Sequence, residues 1–129
     1  KATLIGENTF LANSCNYLLE PKKLNLELLL GWLNSSLLNF VFRTRSTSSN
    51  VNGYEVDNLP FINSESNKKI MDLSKKILEI KNRNIIAETK LLEKEIDSII
   101  FKEFNLNKKE IEIIKIANAA KWKKINREK

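Results

Sequence analysis

The chain has 129 residues, 42% of them apolar and 29% charged, which suits one ordinary domain and is too little for two large ones. The apolar share argues against a disordered chain; no run approaches the roughly 18 uncharged apolar residues of a membrane helix, and no signal-peptide pattern opens the sequence. A single cysteine, Cys15, leaves no internal disulfide and points to a reducing cytoplasm, while the lack of any histidine removes the commonest general base and metal ligand.

The net charge of +6 is unevenly placed. Residues 1–66 hold five basic and six acidic groups, and residues 67–129 hold the other 17 basic and 10 acidic groups. A basic surplus suits a polyanionic partner, because neutralised phosphates release condensed counterions. A solvated, lysine-rich helix surface is the plain alternative.

In chain order, KATLIGENTFLANSCNYLLE has short apolar runs separated by Gly6-Glu7-Asn8 and Asn13-Ser14. Those breaks are turn chemistry and predict short strands near 2–5, 9–12 and 15–19. So small a sheet must pack on a neighbouring helix to be stable. Lys1 begins abruptly, as a cut chain does. Pro21-Lys22-Lys23 ends the extended run, and Asn25 is a cap for a helix from Leu26. Leu28, Leu29, Leu30, Trp32, Leu33, Leu37, Leu38, Phe40, Val41 and Phe42 make that helix apolar on most of its circumference, so it forms the core. Gly31 and Ser35-Ser36 are points where another backbone can approach closely.

Arg43 to Gly53 is a polar stretch with one large apolar residue, Val51. Its hydroxyls and amides favour local bonding, which predicts a loop ending in an Asn52-Gly53 turn. Tyr54-Glu55-Val56 then alternates as a short strand does, and Leu59-Pro60-Phe61-Ile62 leads onward. From Ser66 the period is helical. Ile70, Leu73, Ile77, Ile80, Asn84, Ala87 and Leu91 form a heptad seam, which slips by one residue to Leu92, Ile96, Ile99 and Ile100, as at a bend or a change of partner. Asn84 leaves open whether this is one helix or two. Asn105 or Asn107 caps a last helix carrying Ile111, Ile113, Ile114, Ile116 and Ala117, and Trp122 is a possible anchor for a basic tail.

Catalytic chemistry finds little support. Glu79-Ile80-Lys81 and Glu88-Thr89-Lys90 share the E-x-K spelling of metal-dependent nucleases, but helical period turns residues i and i+2 to different faces. Cys15 has no histidine to activate it, and the three glycines form no phosphate loop. The segment from Arg43 to Tyr54 is different. Arg reads guanine and Asn reads adenine by paired hydrogen bonds, while Ser, Thr and Arg hold phosphates. Arg43, Arg45, Ser46, Thr47, Ser48, Ser49, Asn50, Asn52 and Tyr54 gather that inventory in one segment. An ordinary polar surface loop has the same composition.

The string LLLGWLNSSLLNFVFRTRSTSSNVNGYEVDNLPF, residues 28–61, resembles the carboxy-terminal specificity region of TaqI-like DNA methyltransferases. The same region occurs in fused type IIG restriction-modification enzymes and in related phage-exclusion methyltransferases. A helix spelled roughly L-L-G-x-L-N-S-x-L-x-N-F-x-[FY]-[RK] leads there into a polar loop, an aromatic strand and a Leu-Pro exit. The matching residues are Leu29 to Ser35, Asn39 to Arg43, Gly53-Tyr54 and Leu59-Pro60. Leu92-Glu93-Lys94-Glu95-Ile96-Asp97 and the Phe-containing segment after it are similar to the family's ending, so the likeness reaches over about residues 1–116. A second proline, frequent in the family soon after Leu-Pro, is replaced by Phe61-Ile62.

The resemblance implies a non-catalytic target recognition module. In the family an adenine is flipped and methylated from S-adenosylmethionine by a separate methyltransferase domain. Its N-P-P-[YF] motif and cofactor loop are missing from these residues, so no cofactor is expected in this chain and S-adenosylmethionine belongs to the parent. The partners implied are double-stranded DNA and that methyltransferase domain; the helices offer a route to homo-oligomers, and no membrane is involved. The expected fold is α+β: a small antiparallel sheet on a buried helix within residues 1–65, part of a target recognition domain, then a helical hairpin or bundle over 66–129 with coiled-coil-like spacing. Those helices serve either as spacers between modules or as a hairpin covering the core, with Lys68, Lys69, Lys75, Lys76 and Lys81 as phosphate contacts. The rival reading is a helical dimerisation or docking module whose polar loop merely connects elements.

Overall fold

A computed structural model of the chain describes residues 1–6, 9–10, 25–46 and 53–127, with the side chains of 53, 54 and 121–127 left out. Every regular element among the described residues is a helix: α1 (Leu26–Leu33), α2 (Ser36–Arg45), α3 (Gly53–Asp57), α4 (Asn67–Arg83), α5 (Lys90–Glu103) and α6 (Lys108–Arg127). The expected α+β fold with its antiparallel sheet is therefore overturned. Residues 2–5 have no strand partner among the described residues; Ala2 pairs instead with a side chain. Asn34 accepts the Ala2 N–H at 2.7 Å and donates to the Ala2 carbonyl at 2.9 Å. Of the strand expected at 9–12, Thr9 and Phe10 are irregular and Phe10 is almost wholly exposed, while 11 and 12 lie outside the described residues. The strand expected at 54–56 is part of α3, since three alternating residues are too few to outweigh a local turn. The strand expected at 15–19, the Pro21-Lys22-Lys23 break, Asn52 of the expected turn and the Trp122 side chain lie outside the described residues.

Asn25 caps α1 as its side-chain chemistry predicts, its Oδ1 accepting from the amides of Glu27 (2.9 Å) and Leu28 (3.2 Å). The greasy helix expected from Leu26 to Phe42 is two helices. Ser35 is extended (φ −65°, ψ 153°); its hydroxyl donates to the Trp32 carbonyl at 2.7 Å and accepts from the Leu38 amide at 3.3 Å. One serine thus closes α1 and caps α2. The break sends the apolar surface in two directions: α1 packs chiefly on α4, and α2 on α5 and α6.

The core joins Leu28, Trp32, Leu37, Leu38, Ile70, Leu73, Ile96, Ile100, Phe101 and Ile114. Burying side chains of this size contributes about 1.5–3 kcal/mol each before entropy is subtracted. Trp32 is fully buried at its centre, with Phe61 at a 4.9 Å ring separation and Phe104 at 6.1 Å. Its Nε1–H donates to Asn67 Oδ1 at 3.0 Å, and Asn67 Nδ2 donates to the Ile62 carbonyl at 3.1 Å. A buried indole N–H needs such a partner. Gly31 lets α1 and α4 meet: a Cβ there would strike the Ser74 hydroxyl and lie 2.9 Å from Ile70 Cγ2.

Only the start of the heptad seam is spent inside the molecule. Ile70 and Leu73 are buried, whereas Leu91 at the far end is 80% exposed. The region around Asn84 separates two helices, and the slip from Leu91 to Leu92 falls inside α5, past that break, so it does not mark the helix boundary. Asn84 Oδ1 accepts from the Ile86 amide at 3.2 Å, and Lys81 Nζ donates to the carbonyls of Ala87 (2.6 Å) and Ile85 (3.3 Å). At the end of α5, Asn105 takes the left-handed conformation (φ 53°). The amides of Asn105 and Leu106 then reach the carbonyls of Lys102 (3.0 Å) and Phe101 (3.0 Å), a Schellman closure with asparagine in the place glycine most often takes. Asn107 and Glu110 form a reciprocal capping box at the start of α6, with bonds of 3.0 and 2.8 Å. Of the two caps considered for this helix, Asn107 serves, and Asn105 ends the helix before it.

Candidate nucleic-acid interface

The expected base-reading segment begins on a helix rather than in a loop. Arg43 and Arg45 occupy the last turn of α2, where the negative end of the helix dipole favours cations. Ser46 is its C-cap, with its amide donating to the Phe42 carbonyl at 2.8 Å. Arg45 Nη1 donates to the Asn58 carbonyl at 3.1 Å just beyond α3. Since α3 packs against α2, both ends of the intervening segment are held by the same two helices. Thr47, Ser48, Ser49, Asn50 and Asn52 lie outside the described residues, and Tyr54 is placed only by its backbone, in the first turn of α3. The structure thus brings together Arg43, Arg45 and Ser46.

The other end of α2 is locked. Asp97 on α5 accepts from the Ser36 amide at 2.8 Å and from the Ser36 hydroxyl at 2.5 Å, and Asn118 on α6 donates to the Ser36 carbonyl at 3.1 Å. A carboxylate at the first residue of a helix satisfies an orphan amide and suits the positive dipole end. Burial pushes the Asp97 carboxyl above its ordinary value, against the lowering effect of the two Ser36 bonds; Glu93 adds to the rise and Lys115 opposes it.

Of the five lysines considered for phosphate, Lys68, Lys75 and Lys76 are exposed on α4. Lys69 pairs with Glu95 at 2.9 Å, and Lys81 is engaged with the α4–α5 turn. The second E-x-K string does not lie within a helix: Glu88 precedes α5 and pairs with Lys90 at 3.5 Å.

Sequence reading missed a groove. α5 and α6 both lean on α2 and barely touch each other, which leaves an open cleft of about 720 Å³ lined by Ser36, Lys94, Asp97, Ser98, Lys102 and Lys115, among others. Lys94, Ser98 and Lys102 recur every four residues, the one signal in the sequence for a basic stripe along one face of α5. No helix among the described residues is long and apolar enough to cross a membrane. Comparison with family models, with curated proteins and with solved structures gave no match.

Proposed function

We propose that the chain is a DNA target recognition module of a restriction-modification adenine methyltransferase or a fused restriction enzyme. It is non-catalytic by itself and works in a reducing cytoplasm beside a methyltransferase domain that holds S-adenosylmethionine. The observation that carries this reading is the anchoring of α2. Its first turn is fixed to α5 and α6 through Ser36, Asp97 and Asn118, and its last turn bears Arg43 and Arg45 at the threshold of the hydroxyl- and amide-rich segment. A base-reading segment works best when mounted on a rigid element. The lock also joins residues 28–61 to the string at 92–97, two places where the resemblance to the family is spelled out.

The test is selection of bound duplexes from a random library by the chain and by its Asn50→Ala and Asn52→Ala variants. Each variant is expected to relax the preference at one or more positions by about 1–3 kcal/mol. Identical selected sequences for all three proteins overturn the assignment.

A second reading, a helical docking module, is favoured by three exposed aliphatic residues at the α4–α5 turn, Ile85, Ile86 and Leu91. Analytical ultracentrifugation separates the two: self-association without duplex affinity at low salt supports docking.

A further inference from the structure

We infer that the cleft between α5 and α6 seats the phosphodiester backbone of duplex DNA, a second contact separate from the base-reading segment; this rests on the recognition reading above. Lys94 and Lys102 stand eight residues apart on one helix, about 12 Å along its axis, and Lys115 faces them from α6 across the cleft. All three are exposed, and none takes part in an ion pair among the described residues. Lys69 and Lys90 are paired, with Glu95 and Glu88, whereas Lys68, Lys75 and Lys76 on α4 share the exposure of the cleft lysines and their lack of an ion pair among the described residues, which makes them the matched control. The single carboxylate among these lining residues is Asp97, which holds Ser36 with both oxygens and offsets part of the Lys115 charge; three cations against one carboxylate leave the cleft with a basic surplus.

The spacing suits a polyanion better than a lone phosphate. A strand of DNA carries one charge per 3.4 Å of axis, so the two α5 ammonium groups span several consecutive charges. The cleft also opens beside the first turn of α2, and the base-reading segment follows the last turn of that helix. One rigid helix therefore sets the distance between backbone contact and base contact, which is how phosphate contacts fix register for base readout.

The experiment measures duplex affinity of the full chain against salt for the wild type, for a cleft variant (Lys94→Gln, Lys102→Gln, Lys115→Gln) and for a control with equal charge loss on α4 (Lys68→Gln, Lys75→Gln, Lys76→Gln). Removing one lysine that neutralises a phosphate lowers the slope of log affinity on log salt by about 0.9. Between 50 and 200 mM salt the wild type is then expected to lose about 40-fold more affinity than the cleft variant, while the α4 control follows the wild type. Equal slopes for both variants overturn the inference, whether both fall or neither does. Displacement of the duplex by inorganic phosphate at matched ionic strength overturns the polyanion assignment. No duplex affinity in the wild type at low salt overturns this inference and the recognition reading together. A cleft-dependent slope with no sequence preference overturns the recognition reading alone.

Discussion

Asp97 grips Ser36 with both carboxylate oxygens, one on the backbone amide at 2.8 Å and one on the hydroxyl at 2.5 Å. The two residues are 61 positions apart, so this single pair fixes the start of α2 to the middle of α5. Removing the carboxylate orphans an amide at a helix start. Asp97→Ala is expected to cost about 1–3 kcal/mol of stability, and Asp97→Asn, which retains one acceptor, less. Urea unfolding measures both, and an unchanged midpoint for Asp97→Ala contradicts the lock.

The same group sets a pH dependence. Burial holds the Asp97 carboxyl above its ordinary value in the folded chain, so the folded state keeps a proton that the unfolded chain has already released. The contribution of this group is therefore greatest in acid, declines as pH climbs from the ordinary Asp value of about 3.9 to the raised folded value, and levels off beyond it. Asp97→Asn does not titrate. The stability of wild type minus variant should fall across that window, and a difference that rises with pH contradicts the sign.

Gly31 is where α1 and α4 come closest. Gly31→Ala gains up to about 1 kcal/mol of helix propensity but drives a methyl into Ser74 and Ile70, an overpacking cost of about 1–3 kcal/mol. A net loss of stability is expected. Ser74→Ala removes the hydroxyl that is struck, so the double variant should recover part of that loss beyond additivity; strict additivity in thermal melts rules out the clash.

Trp32→Phe deletes the indole donor and leaves Asn67 Oδ1 buried without it. A loss of about 2–4 kcal/mol is expected from the unpaired acceptor and the smaller ring. In a double-mutant cycle with Asn67→Ala the coupling should be about 1 kcal/mol, and a value near zero means that the pair is incidental.

Local signals in the sequence were readable wherever one residue decides the outcome alone. Asn25 accepts the first amides of α1 and the period from Ser66 is helical, whereas the slip in the seam falls inside α5 and not at the break around Asn84. The break at Ser35 was harder to read, because Leu-Trp-Leu-Asn-Ser-Ser-Leu-Leu continues a helical apolar pattern and the hydroxyl that ends it acts in both directions. The supposed strand at 2–5 failed for a tertiary reason: its backbone partner is the Asn34 amide, 32 residues away. The lysine cleft was hidden for a similar reason, since Lys115 joins Lys94 and Lys102 only after α2 has spread α5 and α6 apart. Composition singles out Arg43 and Arg45 as candidates, yet their position on the final turn of a helix depends on a boundary that composition does not mark.

The clasp around Ser36 has a consequence for biosynthesis. A ribosome releases Ser36 long before Asp97, and Asn118 emerges last of the three, 82 residues after the carbonyl it will hold. While the nascent chain lacks those partners, the first turn of α2 has only its local Ser35 cap to hold it. The fixed seating of α2 on α5 and α6 therefore waits for the final helix, and a chain that stopped before Lys90 would lack both of the side chains that clasp Ser36.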